Sequence, residues 1–289
     1  DRSIMNTPDA IALCPNPTVD KSASIDRVAP DIKLRCNDPD FDPGGGGVNV
    51  ARVMNRLDVD SQLLYPAGGP HGEFLKTLLE KEGLFHESTE IDGFTRESYT
   101  VLEKSSEQQY RFSHPGPELA EDEWERHLRR IEETLDHGPD YVVGSGSLPP
   151  GVAPDQYAHL GEKIREADSR FILDASGDYL KKGLNARPFL IKPNLRELRQ
   201  LVDQSVDNEK DIVNAAGSLL ERNWVDHVAV SIGAGGALLV SREGTYRYQA
   251  PTVTIDSKVG AGDSMVAGIV YGLLNTDTVE DAVRYGVAA

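Results

Sequence analysis

A short glycine loop followed by a carboxylate stands at residues 259–265, which read V-G-A-G-D-S-M. The small residues Gly260, Ala261 and Gly262 leave backbone N–H groups uncovered, and an apolar helical pattern begins directly after them. Because a helix N-terminus carries partial positive charge, this junction suits an anion such as phosphate. A carboxylate at Asp263 opposes anion binding, but it can accept a proton while a phosphoryl group is transferred. Taken alone, Asp263 fits slightly better as an ordinary helix cap, so the rest of the chain has to decide.

A second glycine-rich turn lies within residues 42–52, D-P-G-G-G-G-V-N-V-A-R. Four consecutive glycines carry an entropy cost that a plain connection does not require. We therefore expect the backbone of residues 44–47 to approach a ligand closely, with an ordinary loop as the alternative. Asn49, at the start of the following helix, could hydrogen-bond hydroxyl groups of that ligand, and Asp20 could do the same.

A third motif, K-P-N-x-x-E, begins at Lys192, at the end of a predicted strand that opens a helix. Asn194 and Glu197 are three residues apart on the first helical turn and face the same side, an arrangement that suits a hydrated Mg²⁺ ion. A capping box formed by the same two residues fits the local sequence equally well.

The elements that must position these motifs alternate along the chain. Predicted strands cover residues 11–14, 22–25, 34–37, 62–65, 99–103, 109–112, 141–143, 171–173, 189–191, 228–231, 237–240 and 246–249. Predicted helices cover residues 48–57, 72–82, 121–135, 156–167, 211–221 and 265–274, and a capping box of Thr278 with Asp281 opens the last helix. Such alternation predicts an α/β fold with a parallel sheet covered on both faces. Two hairpin-like segments, about residues 20–40 and 97–114, interrupt the alternation and predict a small separate sheet that acts as a lid.

Two glycines within the predicted helix 265–274 are unfavourable for helix formation. Gly268 and Gly272 each cost helix propensity, so they predict a close approach to a neighbouring element.

The composition is that of a globular protein with a sizeable core, since 39% of the 289 residues are hydrophobic and 27% are charged. The formal net charge of −17 argues against nucleic acid and anionic membranes as partners, whereas a phosphorylated substrate needs only a few local cations. No apolar run approaches membrane-spanning length. Cys14 and Cys36 have neither metal-ligand nor redox spacing, so we expect a cytoplasmic protein with two reduced thiols.

Two common nucleotide-binding motifs are missing from the sequence. There is no G-x-x-x-x-G-K-[ST] segment of the Walker type, and no G-x-G-x-x-G segment follows the first strand. The segment G-S-G-S at residues 144–147 resembles the latter only superficially. A dinucleotide-dependent oxidoreductase is therefore a minor alternative, and it predicts NAD(P)H binding.

Taken together, the three motifs resemble the PfkB (ribokinase-like) family of carbohydrate kinases. Residues 42–52 match the first family signature, residues 259–265 match the second and residues 192–197 supply the third, all in the order and spacing of the family. Four further segments are most similar to the minor 6-phosphofructokinases of this family: K-L-R-C at 33–36, P-A-G-G at 66–69, Q-Y-R-F at 109–112 and S-G-S-L-P-P-G at 145–151. The resemblance covers essentially the whole chain. It implies one ribokinase-like domain over residues 1–289, an αβα sandwich with a mostly parallel central sheet and a β-sheet lid.

The resemblance also implies a role for each candidate residue. Asp263 would take the proton from the C1 hydroxyl of the sugar, while the backbone N–H groups of Gly260, Ala261 and Gly262 would stabilise charge on the transferred phosphoryl group. The residues that would bind the sugar phosphate are Asp20, Gly45, Gly46 and Asn49 at the hydroxyls, and Lys33, Arg96 and Ser147 at the 6-phosphate. The residues that would bind the nucleotide are Lys192 and Asn194 at the ATP phosphates and Ser231 and Gly233 elsewhere, with Glu197 ordering Mg²⁺ through water.

The activity implied by the resemblance is ATP-dependent phosphorylation of a ketohexose phosphate. Fructose 6-phosphate is the expected substrate and fructose 1,6-bisphosphate the product. A 1-phosphofructokinase and a tagatose-6-phosphate kinase are the alternative enzymes, and a non-catalytic sugar-phosphate sensor is an alternative from another class.

Cofactors and partners follow from the same resemblance. The expected cofactors are ATP and Mg²⁺, with K⁺ as a further candidate. Close relatives usually carry Thr where this chain has Lys258, so we expect the Lys258 ammonium to reduce or replace the need for K⁺. Because the lid sheets of two subunits form the dimer contact in relatives, a homodimer through the lid is expected.

Overall fold

The computed structural model describes residues 7–251 and 260–289 of the chain. Its strands are β1 (Ala10–Leu13), β2 (Thr18–Ile25), β3 (Asp40–Gly44), β4 (Ser61–Ala67), β5 (His86–Glu90), β6 (Arg96–Glu103), β7 (Gln108–Ser113), β8 (Tyr141–Ser145), β9 (Arg170–Asp174), β10 (Leu190–Ile191), β11 (His227–Ser231), β12 (Ala237–Ser241) and β13 (Thr245–Tyr248). Its helices are α1 (Gly46–Arg56), α2 (Gly69–Lys81), α3 (Glu121–Leu135), α4 (Gln156–Glu166), α5 (Gly177–Gly183), α6 (Leu195–Val202), α7 (Glu209–Glu221), α8 (Ala261–Asn275) and α9 (Val279–Ala288). The prediction made for Lys258 lies outside the described residues. Within those two ranges, no helix combines the length and the apolar character that a bilayer-spanning segment needs.

A large sheet forms the centre of the fold, with the strand order β13-β12-β11-β10-β9-β8-β1-β4-β5. All neighbouring strands from β11 to β5 are parallel, and β12 and β13 are added antiparallel at one edge. Successive residues of β1 face opposite sides, so that Ile11 and Leu13 lie in one hydrophobic cluster while Ala10 and Ala12 lie in the other. Residues of α3 to α7 complete the first cluster, and residues of α1, α2, α8 and α9 complete the second. The predicted αβα sandwich is therefore confirmed.

A second, smaller sheet has the order β3-β2-β6-β7, which confirms the predicted small separate sheet, while its action as a lid stays a prediction. The strand predicted at residues 34–37 is wrong, because β3 at Asp40–Gly44 takes the place beside β2. Asn37 still makes a local link to Ser24 through its backbone N–H and its side-chain oxygen. Leu34 is 38% exposed, so its side chain is largely uncovered by the sheet.

The edge strand β5 is absent from the sequence-based prediction. Its sequence, H-E-S-T-E, contains no apolar residue and shows no strand periodicity. The segment is extended because it pairs in parallel register with β4, with Leu63 opposite His86 and Ala67 opposite Glu90. A neighbouring strand therefore decided the structure of this segment.

The start of α8 corrects the simplest interpretation of Asp263. The N-cap position belongs to Gly260, which has a left-handed backbone with φ of 81°, and the Asp263 side chain makes no capping hydrogen bond to the residues that the structure describes. By contrast, Thr278 does cap α9, since its hydroxyl accepts a hydrogen bond of 3.1 Å from the N–H of Asp281. The carboxylate of Asp263 is thus available for another function.

The close approach predicted from Gly268 and Gly272 is confirmed between α8 and α9. A Cβ atom on Gly268 would lie 2.8 Å from the Cα atom of Gly286, and one on Gly272 would overlap the backbone of Ala282. These two glycines let the backbones of α8 and α9 pack directly against each other.

Candidate active site

The candidate site lies at the carboxyl ends of β1 and β8, in the middle of the large sheet. From β1 the chain continues to β4 on one side, whereas β8 lies on the other side and leads on to β9. The carboxyl ends of parallel strands at such a reversal of strand order leave a crevice in which ligands bind. The glycine run 44–47 and the first turn of α1 enter this crevice.

The glycine run is required by packing within the chain itself. Gly45 has a left-handed backbone with φ of 112°, and a Cβ atom there would lie 2.7 Å from the sulfur of Cys14. A Cβ atom on Gly46 would overlap the hydroxyl of Ser145, and one on Gly47 would overlap the carbonyl of Leu13. The run therefore lets α1 begin directly against the ends of β1 and β8. Contact of Gly45 and Gly46 with a ligand stays a prediction.

Asp263 is brought to this crevice by α8, next to Asn49 of α1. The Nδ2 group of Asn49 donates a hydrogen bond of 2.8 Å to Oδ2 of Asp263. Burial raises the pKa of Asp263 to about 6; the Asp174 carboxylate also raises it, whereas the Asn49 hydrogen bond and Lys192 lower it. The balance leaves a carboxylate whose pKa lies close to neutrality, as a general base needs.

A buried ion pair lies beside the glycine loop of α8. The ammonium group of Lys192 is 3.2 Å from Oδ1 of Asp174, and both side chains are almost fully buried. Burial opposes a charged Lys192, but the carboxylates of Asp174, Glu197 and Asp263 together raise its pKa, so it stays cationic. A Cβ atom on Gly262 would lie 3.2 Å from this ammonium. The loop thus has a fixed positive charge at its side.

The K-P-N-x-x-E motif forms the capping box that local sequence predicted. Asn194 Oδ1 accepts from the N–H of Glu197, and Glu197 Oε2 accepts from the N–H of Asn194, both at 2.9 Å. Asn194 also forms an isolated parallel bridge with Ser231 at the end of β11, while Gly233 follows in an exposed turn with φ of 59°. The capping box leaves Oε1 of Glu197 without a hydrogen bond to the described residues, so the cap and a metal-ordering role can coexist.

One face of the small sheet carries charged side chains. Strand alternation and register place Asp20, Asp42, Arg96 and Arg111 on this face. Burial raises the pKa of Asp20, and the guanidinium groups of Arg96 and Arg111 oppose the rise. Two guanidinium groups next to a polar crevice form a surface suited to a phosphate.

Arg96 also ties the small sheet to the loop after β1. Its Nη2 donates to the carbonyl of Asn16 at 2.9 Å, and its Nη1 donates to the carbonyl of His114 at 3.0 Å. The side chain of Asn16 in turn donates to the hydroxyl of Ser147 at 3.2 Å. Arg96 and Ser147 are therefore held in one network, although they are distant in sequence.

The structure brings together most of the candidate residues but not all of them. Lys33 lies in an exposed loop, and its side chain makes no hydrogen bond or ion pair with the described residues. Asp174 was not among the candidates predicted from the sequence. A signal for it existed, because this carboxylate directly follows the predicted strand 171–173. Sequence analysis also missed the hydrogen bond of 2.9 Å from Arg52 to Asn49, which connects the site to the end of α2.

The whole sequence is similar to that of known proteins. The pattern described as pfkB family carbohydrate kinase matches residues 10–289. The ATP-dependent 6-phosphofructokinase isozyme 2 of Mycobacterium tuberculosis is 41% identical over 282 residues, which are 98% of this chain and 83% of that protein. The 1-phosphofructokinase of Bacillus subtilis is 34% identical over 247 residues, 86% of this chain and 80% of that protein.

Crystal structures of phosphofructokinase-2 from Escherichia coli have the same fold. Its complex with fructose-6-phosphate has a TM-score of 0.90 and 36% identity, covering 98% of this chain and 92% of that chain. Its complex with potassium has a TM-score of 0.90 and 35% identity, covering 98% of this chain and 91% of that chain. Its tetrameric inhibited form has a TM-score of 0.90 and 36% identity, covering 97% and 92%.

Proposed function

The chain belongs to the pfkB family of carbohydrate kinases, and from this premise we propose that it phosphorylates fructose 6-phosphate with ATP. It is an ATP-dependent sugar-phosphate kinase. The observation that carries the proposal is the position of Asp263, which lies half-buried in the crevice near Lys192 and is held by Asn49. The products are fructose 1,6-bisphosphate and ADP.

Asp263 acts as the general base in the proposed reaction. Its carboxylate takes the proton from the C1 hydroxyl as the hydroxyl oxygen forms a bond to the γ-phosphorus of ATP and the bond to ADP breaks. The backbone N–H groups of Gly260, Ala261 and Gly262, at the start of α8, stabilise the negative charge of the transferred group. Lys192 adds a cationic charge beside the same loop. Positioning and electrostatics thus supply most of the proposed rate enhancement.

The sugar phosphate occupies the space between the small sheet and the glycine run. Arg96 and Ser147 hold the 6-phosphate, with Lys33 reaching it from the exposed loop. The hydroxyls are bound by groups on the opposite side, namely Asp20, Asn49 and the backbone of Gly45 and Gly46. The network joining Arg96, Asn16 and Ser147 supports this assignment, because it aligns two of the phosphate-binding groups before substrate arrives.

The nucleotide phosphates contact Lys192 and Asn194, and Ser231 and Gly233 line the rest of the nucleotide site. Mg²⁺ is bound through oxygen ligands, commonly one or two carboxylates with substrate phosphates and water completing the set. The free Oε1 of Glu197 fits that pattern, and the described residues contain no larger cluster of acidic, His or Cys side chains that would suit another metal. Glu197 would hold the ion through its water ligands, and a bound Mg²⁺ would supply positive charge to the phosphates.

Three further features belong to the same proposal. The kinase is one domain over residues 1–289, since helices α3 to α7 on one face of the large sheet and α1, α2, α8 and α9 on the other share hydrophobic clusters with its central strands. It works in the cytoplasm, where ATP and reduced thiols such as Cys14 and Cys36 are found. It forms a homodimer through the small sheet, on one face of which Phe41 and Phe112 are exposed.

The experiment that tests the substrate is a measurement of ADP release with MgATP and a panel of sugars. The panel contains fructose 6-phosphate, fructose 1-phosphate, tagatose 6-phosphate, fructose and ribose. We expect the highest kcat/KM with fructose 6-phosphate and a loss of turnover in Asp263→Ala. A higher kcat/KM with fructose 1-phosphate or tagatose 6-phosphate would contradict the assigned substrate but leave the kinase mechanism in place. Full turnover in Asp263→Ala would contradict the assignment of Asp263 as the general base.

Potassium dependence is tested in the same assay by replacing K⁺ with Na⁺. The potassium complex of the E. coli enzyme supports K⁺ as a candidate cofactor for this chain. Lys258 supplies a positive charge next to the glycine loop in sequence. We propose that this charge replaces most of the K⁺ requirement, so a rate strongly dependent on K⁺ would contradict the proposal.

A further inference from the structure

A chain of hydrogen bonds leads from Asp263 through α1 to the end of α2. Asn49 donates to Asp263, and its other amide atom, Oδ1, accepts a hydrogen bond of 2.9 Å from Nη1 of Arg52. The guanidinium of Arg52 also binds Glu82 through two hydrogen bonds, Nε to Oε2 at 2.7 Å and Nη2 to Oε1 at 2.9 Å. Four side chains from three helical regions are therefore connected in series.

The order of donors and acceptors in this series of hydrogen bonds allows only one orientation of the Asn49 amide. A guanidinium group has donors only, so the atom of Asn49 that faces Arg52 must be the oxygen. The amide NH₂ group must then face Asp263, where it can donate to the carboxylate. An amide turned the other way would place its oxygen against a negatively charged carboxylate and its NH₂ group against a cation.

The pair of Arg52 and Glu82 is well placed to hold this orientation. Its two parallel hydrogen bonds fix the plane of the guanidinium, and the side chains are only 18% and 27% exposed. Nη2 of Arg52 donates in addition to the carbonyl of Pro43, directly before the glycine run. The guanidinium thus has defined partners on α1, β3 and the residue that follows α2.

We propose that Arg52 and Glu82 are positioning residues for phosphoryl transfer, which act by locking the Asn49 amide with its donor towards Asp263. The inference rests on the proposed role of Asp263 as the base. Neither Arg52 nor Glu82 needs to touch the substrate or the nucleotide. Their function is to keep one hydrogen-bond donor permanently aimed at the carboxylate that takes the proton.

The groups around Asp263 show what loss of this donor would do. Burial and the Asp174 carboxylate favour the protonated acid, Cys14 is a further titratable neighbour, and Lys192 and the Ser145 hydroxyl favour the carboxylate. From α1, the hydrogen bond of Asn49 to Asp263 also favours the ionised carboxylate. An unrestrained amide would withdraw that contribution, so more of the enzyme would carry a protonated, inactive Asp263 at a given pH.

The test compares kcat as a function of pH, at saturating sugar phosphate and ATP, in wild type, Arg52→Met, Glu82→Gln and Asn49→Ala. Saturation makes the profile report groups of the enzyme–substrate complex. We expect the acidic limb of Arg52→Met to move to higher pH by about 0.5–1. We expect kcat at pH 7 to fall about tenfold or more because the base is misaligned. KM for ATP should change little, since Lys192 and Asn194 keep their contacts.

Three variants separate positioning from general destabilisation. Glu82→Gln keeps the shape of the side chain and one acceptor, so its shift should have the same direction as that of Arg52→Met and be smaller. Arg52→Lys should recover only part of kcat, because an ammonium cannot serve Asn49 and Glu82 in the same planar geometry. Arg187→Met is the matched control: it removes a guanidinium that binds Asp226 at 2.7 Å on the surface, and it should leave the pH profile unchanged.

A double variant tests the route through Asn49. If Arg52 acts through the amide, Arg52→Met added to Asn49→Ala should produce no further shift of the acidic limb. Independent, additive shifts would overturn the proposed route. An Arg52→Met or Glu82→Gln enzyme that folds and has the wild-type pH profile would overturn the proposal itself. Asp263→Asn is measured in parallel: if it retains activity, the base assignment fails instead, and the two failures are thereby distinguished.

Discussion

Asp263 is placed where its ionised form is useful for chemistry and unfavourable for stability. Burial raises its pKa to about 6, well above the ordinary value of 3.8. The ionised acid is therefore less stable in the folded protein than in the unfolded chain at neutral pH. Active sites commonly carry such a cost, because function requires a group that the fold alone does not favour.

This conflict predicts opposite effects of Asp263→Asn on activity and on stability. Loss of the base should reduce kcat about 10²- to 10⁴-fold. At pH 8 the variant should be more stable to urea by about 1–2 kcal/mol. Each unit of difference between the folded and the unfolded pKa corresponds to about 1.4 kcal/mol. The expected gain is smaller than the full pKa difference would give, because the side chain is partly exposed to solvent. The gain should shrink as the pH falls from 6 towards 4 and vanish below about 3, where the wild-type acid is protonated in both the folded and the unfolded state.

The control for this prediction is Asp178→Asn, which removes an exposed carboxylate from the first turn of α5. It should leave kcat unchanged and lower stability slightly, by about 0.3–1 kcal/mol, through the lost interaction with the helix dipole. An Asp263→Asn variant that is less stable than wild type at pH 8 would show that burial of the ionised Asp263 carboxylate does not destabilise the fold.

At the scale of elements, the site depends on the rigid placement of α8. The base lies on the first turn of this helix, and the rest of the helix is packed between the sheet and α9. Gly268 and Gly272 allow backbone contact with α9, so α8 has little freedom to rotate about its axis. That rigidity keeps the first turn of α8 beside Asn49.

Matched glycine substitutions in two helices test this packing. Gly272→Ala would place a methyl group against the backbone of Ala282 and should lower the free energy of unfolding by about 1–3 kcal/mol. Gly217→Ala, in the interior of α7, meets no atom within 4 Å and should raise that free energy by about 0.5–1 kcal/mol through helix propensity alone. Chemical denaturation of both variants provides the measurement. Equal effects of the two substitutions would mean that the backbones of α8 and α9 are not in direct contact.

At the scale of the whole molecule, one face of the small sheet exposes apolar side chains. Phe112 of β7 is 57% exposed and Phe41 of β3 is 36% exposed, and the strand register places both on the face opposite to Arg96 and Arg111. Exposed apolar residues grouped on one sheet are a usual sign of a protein contact. The tetrameric form of the E. coli relative shows that this fold can assemble into oligomers.

The proposed homodimer predicts that Phe112→Asp weakens self-association. A buried carboxylate without a partner would oppose the contact, so light scattering after gel filtration should show a shift from dimer to monomer. Phe85→Asp is the matched control, because Phe85 is 47% exposed but lies between α2 and β5, outside the small sheet. A wild-type monomer, or a Phe112→Asp variant that stays as dimeric as wild type, would contradict the lid contact.

The sequence alone determined the features that depend on neighbouring residues. Four such features were predictable: the alternation of strands and helices, the helix at Glu121–Leu135, the cap at Thr278 and the capping box of Asn194 with Glu197. The reason is that capping and periodicity act over a few residues, so local sequence contains the whole signal. The glycine loop at α8 and the family resemblance belong to the same class of information.

Tertiary structure alone decided which side chains meet. The Asn49–Asp263 hydrogen bond joins residues 214 positions apart, and the Lys192–Asp174 and Arg52–Glu82 pairs exist only because the sheet and helices pack as they do. The polar strand β5 is extended because β4 supplies its hydrogen-bonding partners. The pKa of Asp263 likewise depends on burial and on the charges of Asp174 and Lys192, which follow from the packing of other elements. Such effects depend on distances through space, which local sequence does not specify.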